Sequence, residues 1–140
     1  MSLSDIYNKE GIITSFNNEL ITIDIDGTLT KHMSGGHKAV MEEDHELLPG
    51  VLERMRLWEA QGHKIVLMTG RRESVRERTE SELRRLGVPF DVLLMGHADS
   101  GRILINDISP YQGVKCHAIP VARDGDWNKV NWTTVGLDNT

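Results

Sequence analysis

Five short stretches of the chain are rich in β-branched and apolar residues, and two longer ones carry apolar side chains at helical spacing. ELITIDID (residues 19–26), HKIVLMT (63–69), FDVLLM (90–95) and RILIND (102–107) read as strands, with VKCHAIPVA (114–122) a weaker one. HKIVLMT is a continuous apolar run, the pattern of a strand covered on both faces. After Pro49 and Gly50, Val51, Met55 and Trp58 recur at i, i+4 and i+7, which predicts a helix that Gly62 ends. A second helix is predicted over 73–86, where Val75, Leu83 and Leu86 share a stripe; Gly87 follows it and Pro89 bars its continuation.

Strands alternating with helices are the pattern of a parallel-sheet α/β domain. The expected architecture is a three-layer α/β/α sandwich with a mostly parallel, Rossmann-like sheet. No repeat or low-complexity segment divides the chain, so residues 1–140 read as one domain. The stretch of about 31–47 holds Gly35, Gly36 and three histidines without periodicity. It reads as a short insertion, too small for a separate cap domain. The tail is polar apart from Trp127, Trp132 and scattered Val and Leu, and the two indoles are expected to pack it. Base stacking is disfavoured, because no basic cluster accompanies them.

Composition narrows the function. At 140 residues the chain suits one domain with a sizeable core. A net charge of −5 argues against nonspecific binding to nucleic acid or an anionic membrane, since both need a basic face. Cys116 is the only cysteine, so no internal disulfide forms and Cys-rich zinc sites are excluded. No apolar run approaches the roughly 20 residues of a membrane span. The opening MSLSDIYNKEG has neither a basic nor an apolar leader region, and a cytoplasmic protein is expected.

Candidate chemistry gathers where strands end. Right-handed crossovers bring the carboxyl ends of parallel strands to one edge, where ligands of open α/β sheets bind. Three such ends are polar: Asp24 with Asp26, Thr69 with Gly70 and Arg71, and Asn106 with Asp107. Asp24 and Asp26 emerge on one side if the strand geometry persists. Two adjacent carboxylates repel, and a hard cation such as Mg²⁺ relieves that, with Asp107 completing its ligands. The plainer alternative is a solvated turn. Arg71 and Arg72, beside Thr69, are candidate substrate contacts, whereas the rest of RRESVRERTESELRR reads as a solvated helix face with i,i+4 pairs. His32, His37 and His45 share one loop and are read as solvent-exposed rather than as metal ligands.

These segments resemble the motifs of the haloacid dehalogenase (HAD) superfamily. DIDGTLT matches its first motif, KIVLMTGR its second and RILINDISP its fourth, in the right order, over about residues 19–122. The resemblance implies a Mg²⁺-dependent phosphohydrolase acting on a small phosphorylated substrate, weakly a phosphosugar. Asp24 matches the nucleophile and Asp26 the general acid. The Asp24 carboxylate, the Asp26 carbonyl and Asp107 match the metal ligands. Thr69, with Gly70, matches the phosphoryl-binding segment, and Gly27 with Thr28 the turn that offers backbone N–H groups. Two departures stand out. Asn106 precedes Asp107 where two acids are usual. His97, after Gly96, occupies the place of the third-motif lysine, with Arg102, Lys115 or Arg72 as alternative cations; Arg102 is disfavoured because it opens a strand at the end opposite Asp107. Without a cap the site is open, or covered by a second copy in a homo-oligomer. The rival reading is a non-catalytic HAD-like domain that binds metal and phosphorylated ligands.

Overall fold

The computed structural model describes residues 18–33, 35–42, 44–97 and 100–137. The leader reading at the start of the chain lies outside these residues, and so does the side chain of His37. Strand β1 is Leu20–Asp24, followed by helix α1 (Gly36–Glu42) and helix α2 (Val51–Ala60). Strand β2 is Lys64–Met68. A 3₁₀ turn, Glu73–Val75, leads into helix α3 (Arg76–Leu86), and strand β3 is Val92–Leu94.

The three strands form one parallel sheet in the order β1-β2-β3, the α/β architecture expected. Register places Ile23 beside Leu67 and Leu67 beside Leu93. Those side chains and Ile65 are buried, in one core with Val51, Met55 and Trp58 of α2 and Leu83 of α3. Alternate residues point the other way, and there Leu20, Thr22, Val92 and Leu94 are exposed. With the strands in the order β1-β2-β3 both crossovers step in the same direction along the sheet, and α2 and α3 share the covered face.

Glycines end the helices as expected. Gly87 caps α3 in the left-handed conformation at φ 77°, donating its N–H to the Arg84 carbonyl. The tail is a structural part of the core. Trp127 and Trp132 stand in the 3₁₀ turns Trp127–Lys129 and Trp132–Val135 and meet Trp58 of α2. The three indoles lie 5.1–5.7 Å apart, tilted or edge-on, the favoured aromatic arrangement.

Two strand expectations need correction. Among the described residues, 102–107 pair with no strand, and Ile103 and Ile105 are each 90% exposed. An apolar run becomes a strand only where an edge receives it, and here the following residues fold on themselves instead. Strand β4 (Ile108–Ser109) and strand β5 (Gly113–Val114) make a two-stranded antiparallel hairpin. The weak strand read over 114–122 therefore reduces to its first residue.

Candidate active site

Strand β1 stops at Asp24 because the chain then folds into a tight turn. The Ile25 carbonyl accepts from the N–H groups of Thr28, Leu29 and Thr30 at 3.1, 2.8 and 3.2 Å. Gly27 adopts φ 86°, which a side chain resists, and its N–H donates to the Thr30 carbonyl at 2.7 Å. The N–H groups of Gly27 and Thr28, expected at a phosphate, are thus engaged inside the turn. The tail braces it from outside. Trp127 Nε1–H donates to the Thr28 carbonyl at 2.9 Å, and the Asp124 N–H to the Gly27 carbonyl at 2.9 Å. This buttress was invisible in a tail read as polar packing.

The two carboxylates meet different surroundings. Asp24 is half-buried; its Oδ2 accepts from the Thr28 hydroxyl at 3.2 Å and its Oδ1 from an Arg102 guanidinium nitrogen at 3.0 Å. Burial pushes its pKa up, with a smaller push from Asp26, against the opposing pull of Arg102, Thr28 and the Ile25 N–H. Arg102 therefore reaches the site that sequence geometry seemed to deny it. It does so because residues 102–107 are not a strand, which leaves Arg102 no strand end to be tied to.

Asp26 turns inward. Arg71 grips it with a two-pronged guanidinium, Nε to Oδ2 at 2.9 Å and Nη2 to Oδ1 at 2.7 Å. The third nitrogen, Nη1, donates to the Thr79 hydroxyl at 3.1 Å and lies 3.5 Å from Glu82 Oε1. Glu82 Oε2 in turn takes the ring Nδ1–H of His45 at 2.6 Å and the His45 backbone N–H at 3.3 Å. Burial works against the charge on Arg71, but Asp26 and Glu82 outweigh it and raise its pKa. Arg71 thus faces the protein interior rather than a substrate, which corrects the substrate-contact expectation for it. His45, at 2% exposure, is likewise not a solvated loop histidine. Nor is α3 merely a solvated face with its pairs Arg76–Glu80 and Arg76–Glu73. Sequence carried a signal for this network: Thr79 and Glu82 fall in the same stripe as Val75 and Leu83. Breaking one partner of a buried charge pair costs about 3–5 kcal/mol, so the set stands or falls together.

The remaining candidates lie around these two. Thr69 is buried at the end of β2, and its hydroxyl accepts from the Arg71 N–H at 3.1 Å. Gly70 joins it to Arg71, while Arg72 is exposed at the start of the 3₁₀ turn. The loop after β3 closes on this segment, with the His97 N–H donating to the Thr69 carbonyl at 3.1 Å. The His97 ring is exposed near Glu73, whose carboxyl is lowered first by its hydrogen bond to Arg76. Asp107 is exposed and pairs with Lys115 at 3.4 Å and with the Asn106 amide at 3.1 Å. Among the described residues no three His, Cys, Asp or Glu side chains gather as a metal site. The two side chains of the Mg²⁺ set implied by resemblance, Asp24 and Asp107, are each paired with a cation of the protein, Arg102 and Lys115, which a metal ion would have to displace.

Comparison with known structures finds several solved chains that are similar to this one. A chain of the Pnkp1/Rnl/Hen1 complex is 27% identical with a TM-score of 0.50, over 68% of this chain and 35% of that one. A second structure, of the Pnkp1/Rnl/Hen1 RNA repair complex, is 30% identical at a TM-score of 0.49, over 65% and 29%. D,D-heptose 1.7-bisphosphate phosphatase from B. bronchiseptica, solved with magnesium and phosphate, is 21% identical at a TM-score of 0.42, over 60% and 54%. The chain thus spans about a third of the RNA repair chains it matches. Residues 21–115 match the family described as PITM 1-3, LNS2 domain.

Proposed function

The chain belongs to the LNS2-domain family, a HAD-like family, and on that premise we propose that it is a phosphohydrolase acting through Asp24 and Asp26. One observation carries the reading: the two carboxylates part company, Asp24 half open to solvent and Asp26 held by Arg71. In the first step an Asp24 oxygen attacks phosphorus, the ester P–O bond breaks, and the leaving oxygen takes a proton from Asp26. In the second, water attacks the aspartyl-phosphate, Asp26 takes its proton, and the P–O bond to Asp24 breaks to release phosphate. Each Asp26 oxygen retains a lone pair beyond the Arg71 bond, so the fork leaves room for that proton.

Thr69 is the proposed phosphoryl hydroxyl, His97 or Arg102 the balancing cation, and Mg²⁺ the expected cofactor, which the Asp24 carboxylate, the Asp26 carbonyl and Asp107 would hold. The substrate is a small phosphomonoester, and a phosphosugar heads the panel. A single cap-less domain, its site covered by a second copy, completes the proposal. p-Nitrophenyl phosphate hydrolysis with and without Mg²⁺, in wild type and Asp24→Asn, tests it. Turnover that survives in Asp24→Asn rules out the aspartyl-phosphate. The dispersed acids favour one rival, a non-catalytic domain binding phosphorylated ligands. Phosphosugar binding without any turnover is its signature.

A further inference from the structure

We propose that Glu82 and His45 are positioning residues: they hold Arg71 on Asp26 and so fix the carboxylate that transfers the proton. The chain of contacts runs from a loop to the site, with hydrogen bonds at its two ends and a 3.5 Å ion pair between Glu82 and Arg71 in the middle. His45 orients Glu82 through both its ring and its backbone N–H. Glu82 Oε1 then faces Arg71 Nη1, which Thr79 also anchors, and the other two guanidinium nitrogens grip Asp26.

Packing alone does not account for this set. The side chains of Arg71, Glu82 and His45 are 3, 2 and 0% exposed, and ions taken out of water are a poor way to fill space. Apolar residues of similar volume fill such a core as well or better. What apolar residues do not do is aim a planar fork. A guanidinium shared between two carboxylates has few orientations open to it, and Asp26 inherits that restriction. The network also joins three separate segments, the loop before α2, the loop after β2 and helix α3, so their relative placement is set at the acid itself.

This inference rests on the proposed phosphatase reading, and its test separates the two. Wild type, Glu82→Gln, His45→Gln, Asp26→Asn and the double variant Asp26→Asn with Glu82→Gln are assayed on p-nitrophenyl phosphate and on an alkyl phosphate. Proton transfer from a positioned acid is worth about 10²–10⁴-fold, and a misplaced acid forfeits part of it. Glu82→Gln is expected to lower kcat on the alkyl ester about tenfold or more, with KM unchanged and p-nitrophenyl turnover hardly altered. In the Asp26→Asn background the same change is expected to cost nothing further. Equal losses on both esters, or an additive loss in the double variant, overturn the proposal. If wild type hydrolyses neither ester, the phosphatase reading fails, and solvent exchange of the Arg71 Nε–H, followed by ¹⁵N NMR, decides the inference. Faster exchange in Glu82→Gln and His45→Gln, with α3 amides still protected, supports the relay; unchanged exchange at Arg71 overturns it. Glu82→Asp, which keeps the charge, is expected to recover more of both readouts than Glu82→Gln.

Discussion

Trp127→Phe tests whether the tail holds the turn that carries the acids. The substitution keeps an aromatic ring beside Trp58 and Trp132 and removes the Nε1–H that donates to the Thr28 carbonyl at 2.9 Å. Trp58→Phe supplies the control. Trp58 is equally buried, yet its Nε1 has no hydrogen-bond partner among the described residues. Both variants lose similar ring volume in the same cluster, each at about 1 kcal/mol of cavity cost. Only Trp127→Phe also orphans a carbonyl, which costs about 1–3 kcal/mol when the group stays dry. The expected losses are therefore about 2–4 kcal/mol for Trp127→Phe and about 1 kcal/mol for Trp58→Phe, within the 5–15 kcal/mol typical of a domain. Urea denaturation at constant m-value measures the difference, and the melting temperatures are expected to separate by several degrees, roughly 3–10 °C. Turnover of p-nitrophenyl phosphate is also expected to fall in Trp127→Phe alone, because the loosened turn links Asp24 to Asp26. If Trp58→Phe proves as damaging as Trp127→Phe, the hydrogen bond does not hold the turn and the reasoning fails.

Asp24→Asn is expected to abolish turnover, and residual activity above about a tenth of wild type would end the nucleophile assignment. The same variant carries a pH signature in chelator. Burial raises the folded pKa of Asp24 above 3.8, so its charge costs stability above that raised value, and the cost disappears once pH falls below 3.8. Asp24→Asn is therefore expected to melt higher than wild type at neutral pH, an advantage that shrinks as pH falls through this window; a constant advantage excludes desolvation as its source. Asp26→Asn is expected to slow alkyl phosphates about 10²-fold or more and p-nitrophenyl phosphate less, and equal slowing argues against proton transfer. Chelator is expected to stop turnover, with Asp107→Ala needing more Mg²⁺ than Asn106→Ala to restore it; equal metal requirements remove Asp107 from the ligand set.

Most of the scaffold was legible because its signals are local. The β-branched run before Asp24 and the apolar run before Thr69 are strands paired in register, and Val51, Met55 and Trp58 do face the core. Gly87 ends its helix with a left-handed φ and an N–H bond back to the Arg84 carbonyl. What failed depends on partners far away in the chain. RILIND has the composition of a buried strand, but composition does not state whether an edge accepts it, and its isoleucines stand in solvent. Glu82 and His45 read as solvated because charged residues usually are, and Arg71 as a substrate contact because it adjoins Thr69. The stripe of Val75, Thr79, Glu82 and Leu83 encodes one side of the network, but only the convergence of three segments makes burial tolerable.

Asp24 and Asp26, two residues apart in a turn, pose an electrostatic problem that the fold answers by giving each acid its own cation. Arg102 meets Asp24 from an exposed segment; Arg71 meets Asp26 from a buried one. The two answers differ in permanence. Arg102 and Asp24 are each more than a third open to water, where such a pair is worth at most about 1 kcal/mol and is easily exchanged for another cation or displaced by a phosphate. Arg71 cannot leave without stranding Glu82 in the interior and freeing the partly buried Asp26. An exchangeable partner suits the acid that must meet a substrate, and a fixed partner suits the acid that must keep its aim. The division of labour between nucleophile and proton carrier is thus already present in which arginine each one holds.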